Sequence, residues 1–396
     1  QIQRGVGTST NGPGAFGASV NLNTESFDPD PSATLTLAGG SFNTFKRNLE
    51  FSTGLLADRI SLSGRISKIT SDGYVDRASS DLSSYYFNAK YYGEKTSLSF
   101  ITFSGDERTY QSWWGTPQSR LEDDSVGMFN HAVNNGLDSA QTYNLFNSGR
   151  TYNYYEYEDQ VDDYGQDHYQ LHWTRRLSET MKAKAALHST LGRGFFEEYK
   201  ANEAYVDYGL SNPVFGGDTI SETDLVRRRW LENDFYGIVF SLEHQGRDLG
   251  LTFGGAWNRY EGEHFGEIIW MENAVETPKD FRYYNGDALK VDGNVYAKGT
   301  YDWRSFRFFG DLQIRSISYR TKGTDNDLKA YDIDETFNFF NPKVGFTYFM
   351  NGGQHVYASF ARAQREPVRS DFIDAPADRQ PIAEQLNDFE FGYRLQ

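Results

Sequence analysis

Residues 306–315 set Phe306, Phe308, Gly310, Leu312 and Ile314 in alternation with Arg307, Phe309, Asp311, Gln313 and Arg315. A period of two marks a β-strand with one apolar and one polar face. The same beat runs through 60–67, where Ile60, Leu62, Gly64 and Ile66 oppose Ser61, Ser63, Arg65 and Ser67. It returns at 389–395, where Phe389, Phe391, Tyr393 and Leu395 oppose Glu390, Gly392 and Arg394. Further stretches near 33–39, 46–53, 85–92, 97–104, 169–175, 181–190, 236–244, 249–257, 295–301, 344–350 and 355–362 bring the expected total to about fourteen strands.

The links between these strands differ in length. Short polar turns at Gly93-Glu94-Lys95, Ser178-Glu179-Thr180, Gln245-Gly246-Arg247, Asp302-Trp303-Arg304 and Asn351-Gly352-Gly353 suit hairpins. Long segments alternate with them, at 68–84, 105–168, 191–235, 258–294, 320–343 and 363–387. Outer-membrane β-barrels have this arrangement, with short periplasmic turns and long outside loops. A soluble antiparallel sheet with one wet face shares the strand pattern. Charge placement favours the barrel, since a basic residue on the lipid face near the midplane costs about 2–4 kcal/mol. The pattern therefore turns Phe306, Phe308, Leu312 and Ile314 toward lipid, and Arg307, Asp311 and Arg315 toward a watery lumen. The expected fold class is all-β, an antiparallel transmembrane barrel. No repeat of fixed length supports a propeller or solenoid.

Composition agrees with this reading. The 27 Tyr, 30 Phe and 7 Trp favour strands, and 38 Gly supply turns and bulges. No run approaches the eighteen or so apolar residues of a membrane-spanning helix, which excludes helical spans only. A net charge of −16 argues against nucleic acid as a partner, because phosphate binding wants a basic face. With no cysteine, the chain has neither a disulfide framework nor a thiolate metal site. It starts at Gln1 without a methionine or an apolar leader, so its beginning is expected to have been cut.

Gly12, Gly14 and Gly17 spell G-x-G-x-x-G, a nucleotide fingerprint when it lies between a strand and a helix. Here Ala18, Val20 and Leu22 alternate with Ser19, Asn21 and Asn23, so a strand follows and the nucleotide reading fails. Instead, "QRGVGTSTNGPGAFGASVNLNT" (3–24) resembles the last plug segment of TonB-dependent outer-membrane receptors. Gly5, Gly7, Asn11, Gly12, Gly14 and Gly17 carry that motif. "RWLENDFYG" (229–237), "DLQIRSISY" (311–319), "FFNPKVGFTYF" (339–349), "YASFARAQREPVRSDF" (357–372) and "EQLNDFEFGYRLQ" (384–396) resemble barrel segments of the same receptors, particularly those of Bacteroidetes.

The resemblance implies a plug inside a 22-stranded barrel. It also implies import of a scarce ligand, most often a ferric siderophore, with cobalamin and oligosaccharides as rivals. A β-rich surface binding protein without transport is the reading from another class. On this basis residues 1–24 are expected to end the plug and 25–396 to form a partial barrel, with roughly eight strands lacking. The TonB energy-transducing complex, a metal chelate or other small ligand, and outer-membrane lipid are the implied partners. A receptor of this kind is not an enzyme, and no cofactor or catalytic residue is expected.

Trp113, Trp114, Tyr152, Tyr154, Tyr155 and Tyr157 crowd the longest segment, where aromatics can stack on a ligand ring or pack the loop itself. We take them as candidate ligand contacts. Arg365, near Arg362 and Arg369, can clamp an anionic ligand or pair with carboxylates such as Glu366 and Asp371. Asp162, Asp163 and Asp167 read as a solvated acidic cluster without calcium-loop spacing, and Glu197 and Glu198 as loop charges pointing oppositely. The seven histidines have no metal spacing. Haem receptors of the family carry a histidine after an F-R-A-P-like box, and none follows "FARAQREP", so haem is disfavoured.

Overall fold

The computed structural model describes residues 2–4, 6–11, 16, 18–20, 29–274, 277–350, 353–376 and 378–395. Its main strands are β1 (Pro31–Gly40), β2 (Thr44–Thr53), β3 (Ile60–Ser71), β4 (Ser80–Tyr92), β5 (Thr96–Tyr110), β6 (Val161–Arg176) and β7 (Met181–Ala204). They continue as β8 (Glu222–Gln245), β9 (Leu249–Met271), β10 (Phe281–Trp303), β11 (Phe306–Thr324), β12 (Ala330–Phe349), β13 (Gln354–Arg365) and β14 (Glu384–Leu395). These fourteen form one antiparallel meander in chain order, with β1 and β14 as its two edges. Among the described residues no helix is long and apolar enough to cross a membrane, which bears on helical spans alone.

Each sequence-derived strand is present, and the period of two sorts its faces as expected. Across β7–β12 one register row reads Ala183, Leu242, Phe253, Ala297, Leu312 and Pro342. Leu312 and Phe253 in that row are 49% and 51% exposed, whereas Asp311 on the opposite face is 0% exposed. The apolar stripe extends from Phe306 to Ile314 on β11 and from Leu249 to Trp257 on β9. At about 3.3 Å per residue on a tilted strand, that length matches an apolar band roughly 25 Å tall.

Link lengths depart from expectation. The segments 191–235, 258–294 and 320–343 are mostly strand, and the actual connections are 205–221, 272–280 and 325–329. Strands β7–β12 run 19 to 24 residues. Past the apolar stripe both faces are polar, so the period of two vanishes while the backbone ladder continues. Outward-facing Lys322 and Arg320 pair there with Asp332 and Asp334, at 2.7 and 3.6 Å. Three connections stay long, 111–160, 205–221 and 366–383. Of the short turns, 351–352 lies outside the described residues.

At the N-terminus, Ile2–Arg4 pairs with Ala18–Val20, and a 3-10 turn at Ser9–Asn11 lies against the polar face of the sheet. Gly7 of the glycine motif is buried and Asn11 ends the turn. Gly5, Gly12, Gly14 and Gly17 lie outside the described residues, as does the expected 24/25 domain boundary.

The stripe yields a stability prediction. Val344 is outward at mid-stripe and 48% exposed, whereas Thr336 is outward but above it. Val344→Arg is expected to lower stability in lipid vesicles by about 2–4 kcal/mol, and Thr336→Arg by about 1 kcal/mol or less. Urea titration of the two variants after refolding into vesicles measures the difference.

Candidate ligand-binding site

The connection 111–160 has a small core of its own. It holds α1 (Gln118–Leu121), α2 (Ser125–Asn134) and α3 (Ser139–Asn147). Asp124 caps α2 by accepting from the amides of Val126 and Gly127 at 3.1 and 3.0 Å. Asp138 and Gln141 cap α3 reciprocally. Met128, Ala132, Leu145 and Tyr152 pack between the helices. The base is tied to the barrel by Asn153, whose amide donates to the carbonyls of Asp76 and Gln111 at 2.9 and 3.0 Å. Arg77 adds bonds to the carbonyls of Tyr155 and Asn153.

This packing divides the six aromatic candidates. Tyr152 is 1% exposed and fills the loop core, so it is a packing residue rather than a ligand contact. Burial, with Tyr154 beside it, pushes its phenol up to about 12. Tyr157 turns to the outer side of the wall, where its hydroxyl donates to Glu197 Oε1 at 2.7 Å and its ring tilts against Tyr199. The remaining four form a connected surface. Trp114 meets Tyr154 at 6.3 Å, Tyr154 meets Tyr155 at 5.3 Å, and Tyr155 meets Trp113 at 6.5 Å. Trp113 and Trp114 remain 58% and 74% exposed. Burial, with Glu198 adding, pushes the Tyr155 phenol up to about 12, so its hydroxyl keeps its proton at neutral pH.

Trp113 also meets Phe196 of β7 edge-on at 5.5 Å. Register places Phe196, Arg229, Gly266 and Tyr284 in one row across β7–β10, on the polar face. The Arg229 guanidinium sits 5.4 Å from the Phe196 ring and 5.7 Å from the Tyr284 ring, and its Nε donates to the Tyr284 hydroxyl at 3.3 Å. Gly266 makes room for this, since a Cβ there would come 2.3 Å from the Tyr284 ring. The two preceding arginines are both paired, Arg227 with Glu198 and Arg228 with Glu197, each at 2.7 Å. Arg229 has no carboxylate within ion-pair distance among the described residues. A guanidinium between two rings, one of them shared with the exposed Trp113, has the chemistry to attract a planar or anionic group.

Sequence reasoning missed this row and misjudged its neighbours. Glu197 and Glu198 do point oppositely, but they lie in β7 as partners of arginines, and Glu197 is 3% exposed. The available signal was three consecutive arginines, 227–229, against two glutamates. Arg365 lies apart from the aromatic surface, paired with Glu384 at 2.7 Å and stacked over Phe16. Arg362 donates to Asn387, and Arg369 lies over Tyr331. Glu366 is held by Lys290 and by Arg315 at 3.2 Å. Burial raises its carboxyl, yet the Lys290 hydrogen bond and Arg315 charge outweigh that and hold it below the ordinary range. Asp163 pairs with Arg108 at 2.7 Å, and His168 stacks on Phe103. Among the described residues no group of three or more His, Asp or Glu is disposed to hold a metal.

No family profile and no curated protein sequence matches the chain. Solved structures do match. The ferric-catecholate import receptor Fiu from E. coli K12, in its closed form, aligns with a TM-score of 0.71 and 15% identity over 99% of this chain and 60% of its own. The ferripyoverdine receptor of the Pseudomonas aeruginosa outer membrane, bound to ferripyoverdine, gives 0.66 and 15% over 99% and 50%. The ferric yersiniabactin uptake receptor FyuA from Yersinia pestis gives 0.62 and 11% over 100% and 56%. The chain thus spans about 60% of the first of these structures and half of the second. Its fold is that of the outer-membrane import receptors known as TonB-dependent.

The division of the loop aromatics is testable. Tyr152→Ala is expected to cost the loop about 3–5 kcal/mol, the range for truncating a buried large ring. Protease cleavage within 111–160 should accelerate accordingly. Trp114→Ala should leave the cleavage rate unchanged.

Proposed function

We propose that this chain belongs to a TonB-dependent outer-membrane receptor that actively imports an anionic metal chelate, most naturally a ferric siderophore. In this reading 1–24 end the plug, 25–396 are barrel wall, and the apolar stripe meets outer-membrane lipid. The observation that carries the choice of cargo is Arg229. In a chain of net charge −16, a half-buried guanidinium without an ion-pair carboxylate among the described residues shares the Phe196 ring with the exposed Trp113. A neutral oligosaccharide needs aromatic platforms and amides but gains nothing from an uncompensated cation. A negatively charged chelate with planar rings uses both.

Trp113, Trp114, Tyr154 and Tyr155 supply stacking surface in this proposal, and Arg229 supplies charge. Tyr152, Tyr157 and Arg365 are left with structural work. TonB would act through chain N-terminal to the wall, drawing on the proton-motive force.

The test uses the full-length receptor. Arg229→Gln is expected to weaken binding of a ferric catecholate by about tenfold or more, the loss typical of a charged hydrogen bond. Trp113→Ala should weaken it too, and Tyr157→Phe should not. Cells lacking TonB should retain surface binding and lose uptake. Equal uptake with and without TonB would point to a passive pore. Unaltered chelate binding in Arg229→Gln, with binding of a neutral oligosaccharide or cobalamin, would move the cargo to those classes. Full solubility of the receptor without detergent would favour the surface binding protein.

A further inference from the structure

Among the described residues, the hydrogen bonds that hold the N-terminal segment to the inner wall meet at one place, apart from the ring contact of Phe16 with Arg365. In register, Lys298 of β10, Asp311 of β11 and Lys343 of β12 form one row on the polar face. Ser9 sits over it. Its amide donates to Asp311 Oδ2 at 2.8 Å and its hydroxyl to Oδ1 at 2.5 Å. Lys343 Nζ donates to Ser9 Oγ at 3.1 Å and lies 3.8 Å from the Asp311 carboxylate. Lys298 Nζ donates to Thr8 Oγ1 at 3.2 Å. Asp311 is 0% exposed and Ser9 4%, so water has no access to replace these bonds.

The next row offers no second hold of this kind. Asn341 donates to Gln313 at 3.2 Å, but Gln313 Nε2 and Asn341 Oδ1 are buried without partners, and in the row beyond so is Asn294 Nδ2. Among the described residues, one carboxylate accepts two bonds from a single residue, and two lysines donate to the same stretch, Thr8–Ser9. Hydrogen bonds to an ionised acceptor are roughly twice as strong as neutral ones. Ile2–Arg4 pairs with Ala18–Val20 on either side of this point in the chain, so these two short strands and Thr8–Ser9 form the unit considered below.

We propose that Asp311 is a permanent anchor for this unit: Thr8 and Ser9 stay on the β10–β12 wall while the chain preceding the unit is displaced. The mechanical part rests on the import reading above; the anchoring does not. Once fixed, the unit sets the limit of any movable plug. Force applied from the N-terminal side is then borne by the wall rather than passed to β1.

The test uses the full-length receptor and two readouts. In the first, hydrogen exchange of 6–11 in Asp311→Asn and in Ser9→Ala should accelerate by about tenfold or more. Thr336→Ala, on the outer face of β12, should leave it unchanged. Unchanged exchange in both Asp311→Asn and Ser9→Ala would overturn the anchor, and this readout needs no cargo. In the second, Ser9→Cys and Asp311→Cys are joined by a reducible thiol cross-linker, in a chain that otherwise has no cysteine. Uptake of the ferric catecholate should be within about twofold of that in the reduced sample, as expected when the two sites never part. Uptake lost on cross-linking and restored on reduction would mean that the anchor opens, and would overturn its permanence. Absence of uptake in reduced and cross-linked forms alike would count against the import reading, leaving the anchor to the exchange measurement.

Discussion

Everything in this molecule depends on the backbone ladder of a single sheet. A strand crossing hydrocarbon cannot leave N–H or C=O groups unpaired, because no water replaces the lost bonds. The meander from β1 to β14 meets that demand between neighbours and thereby fixes register. Register in turn decides which side chains share a face, since a slip of one residue would exchange the two faces of a strand. The row Ala183, Leu242, Phe253, Ala297, Leu312 and Pro342 exists only because five successive pairings agree. The charged row Lys298, Asp311, Lys343 lies on the other side for the same reason.

This explains what could be read from the sequence. Within the apolar stripe the two faces differ chemically, so Phe306 to Ile314 announced both a strand and its orientation. Above the stripe the faces are alike. Glu261 and Glu263 on the outer face of β9 are as polar as Tyr260, Gly262 and His264 on the inner one, and alternation carries no signal there. Strand ends were consequently misplaced by as many as 14 residues, as at Ala204 of β7 against an expected end at 190, beyond the usual few. The error inflated three connections at the expense of β7–β12, while the strand order survived, since it needs only one recognisable stretch per strand.

The binding surface was legible in part, for a similar reason. Trp113, Trp114 and the tyrosines stood out because aromatics clustered locally in a long connection. Their division into core and surface did not, because Tyr152 and Tyr154 are equivalent in sequence; both meet the helix core, and only the fold buries Tyr152 fully while leaving Tyr154 half-buried. The row Phe196, Arg229, Gly266, Tyr284 was invisible. Its members are spread over four strands, and only three pairings acting together make them neighbours. A glycine is one of the four, and it contributes by lacking a side chain.

Buried charge shows how the polar face differs from an ordinary core. Arg315 is 5% exposed and is held by Asp292 at 2.6 Å and by Glu366 at 3.2 Å, so two carboxylates meet one guanidinium, with Lys290 balancing the second. Such a quartet repays its desolvation only if all four members stay in place. Glu366 follows β13 directly, two strands away from Arg315, so the ion pair draws the start of 366–383 across β12. At Asp311 the same economy uses a backbone amide and a hydroxyl from the N-terminal segment in place of a second strand's charge. Both arrangements convert a polar wall into fixed points for chain that is not part of the sheet. Arg229 is an inward cation without an ion-pair carboxylate among the described residues. What sets it apart from Lys298 is its place, since it shares the Phe196 ring with the exposed Trp113, whereas Lys298 is occupied by Thr8.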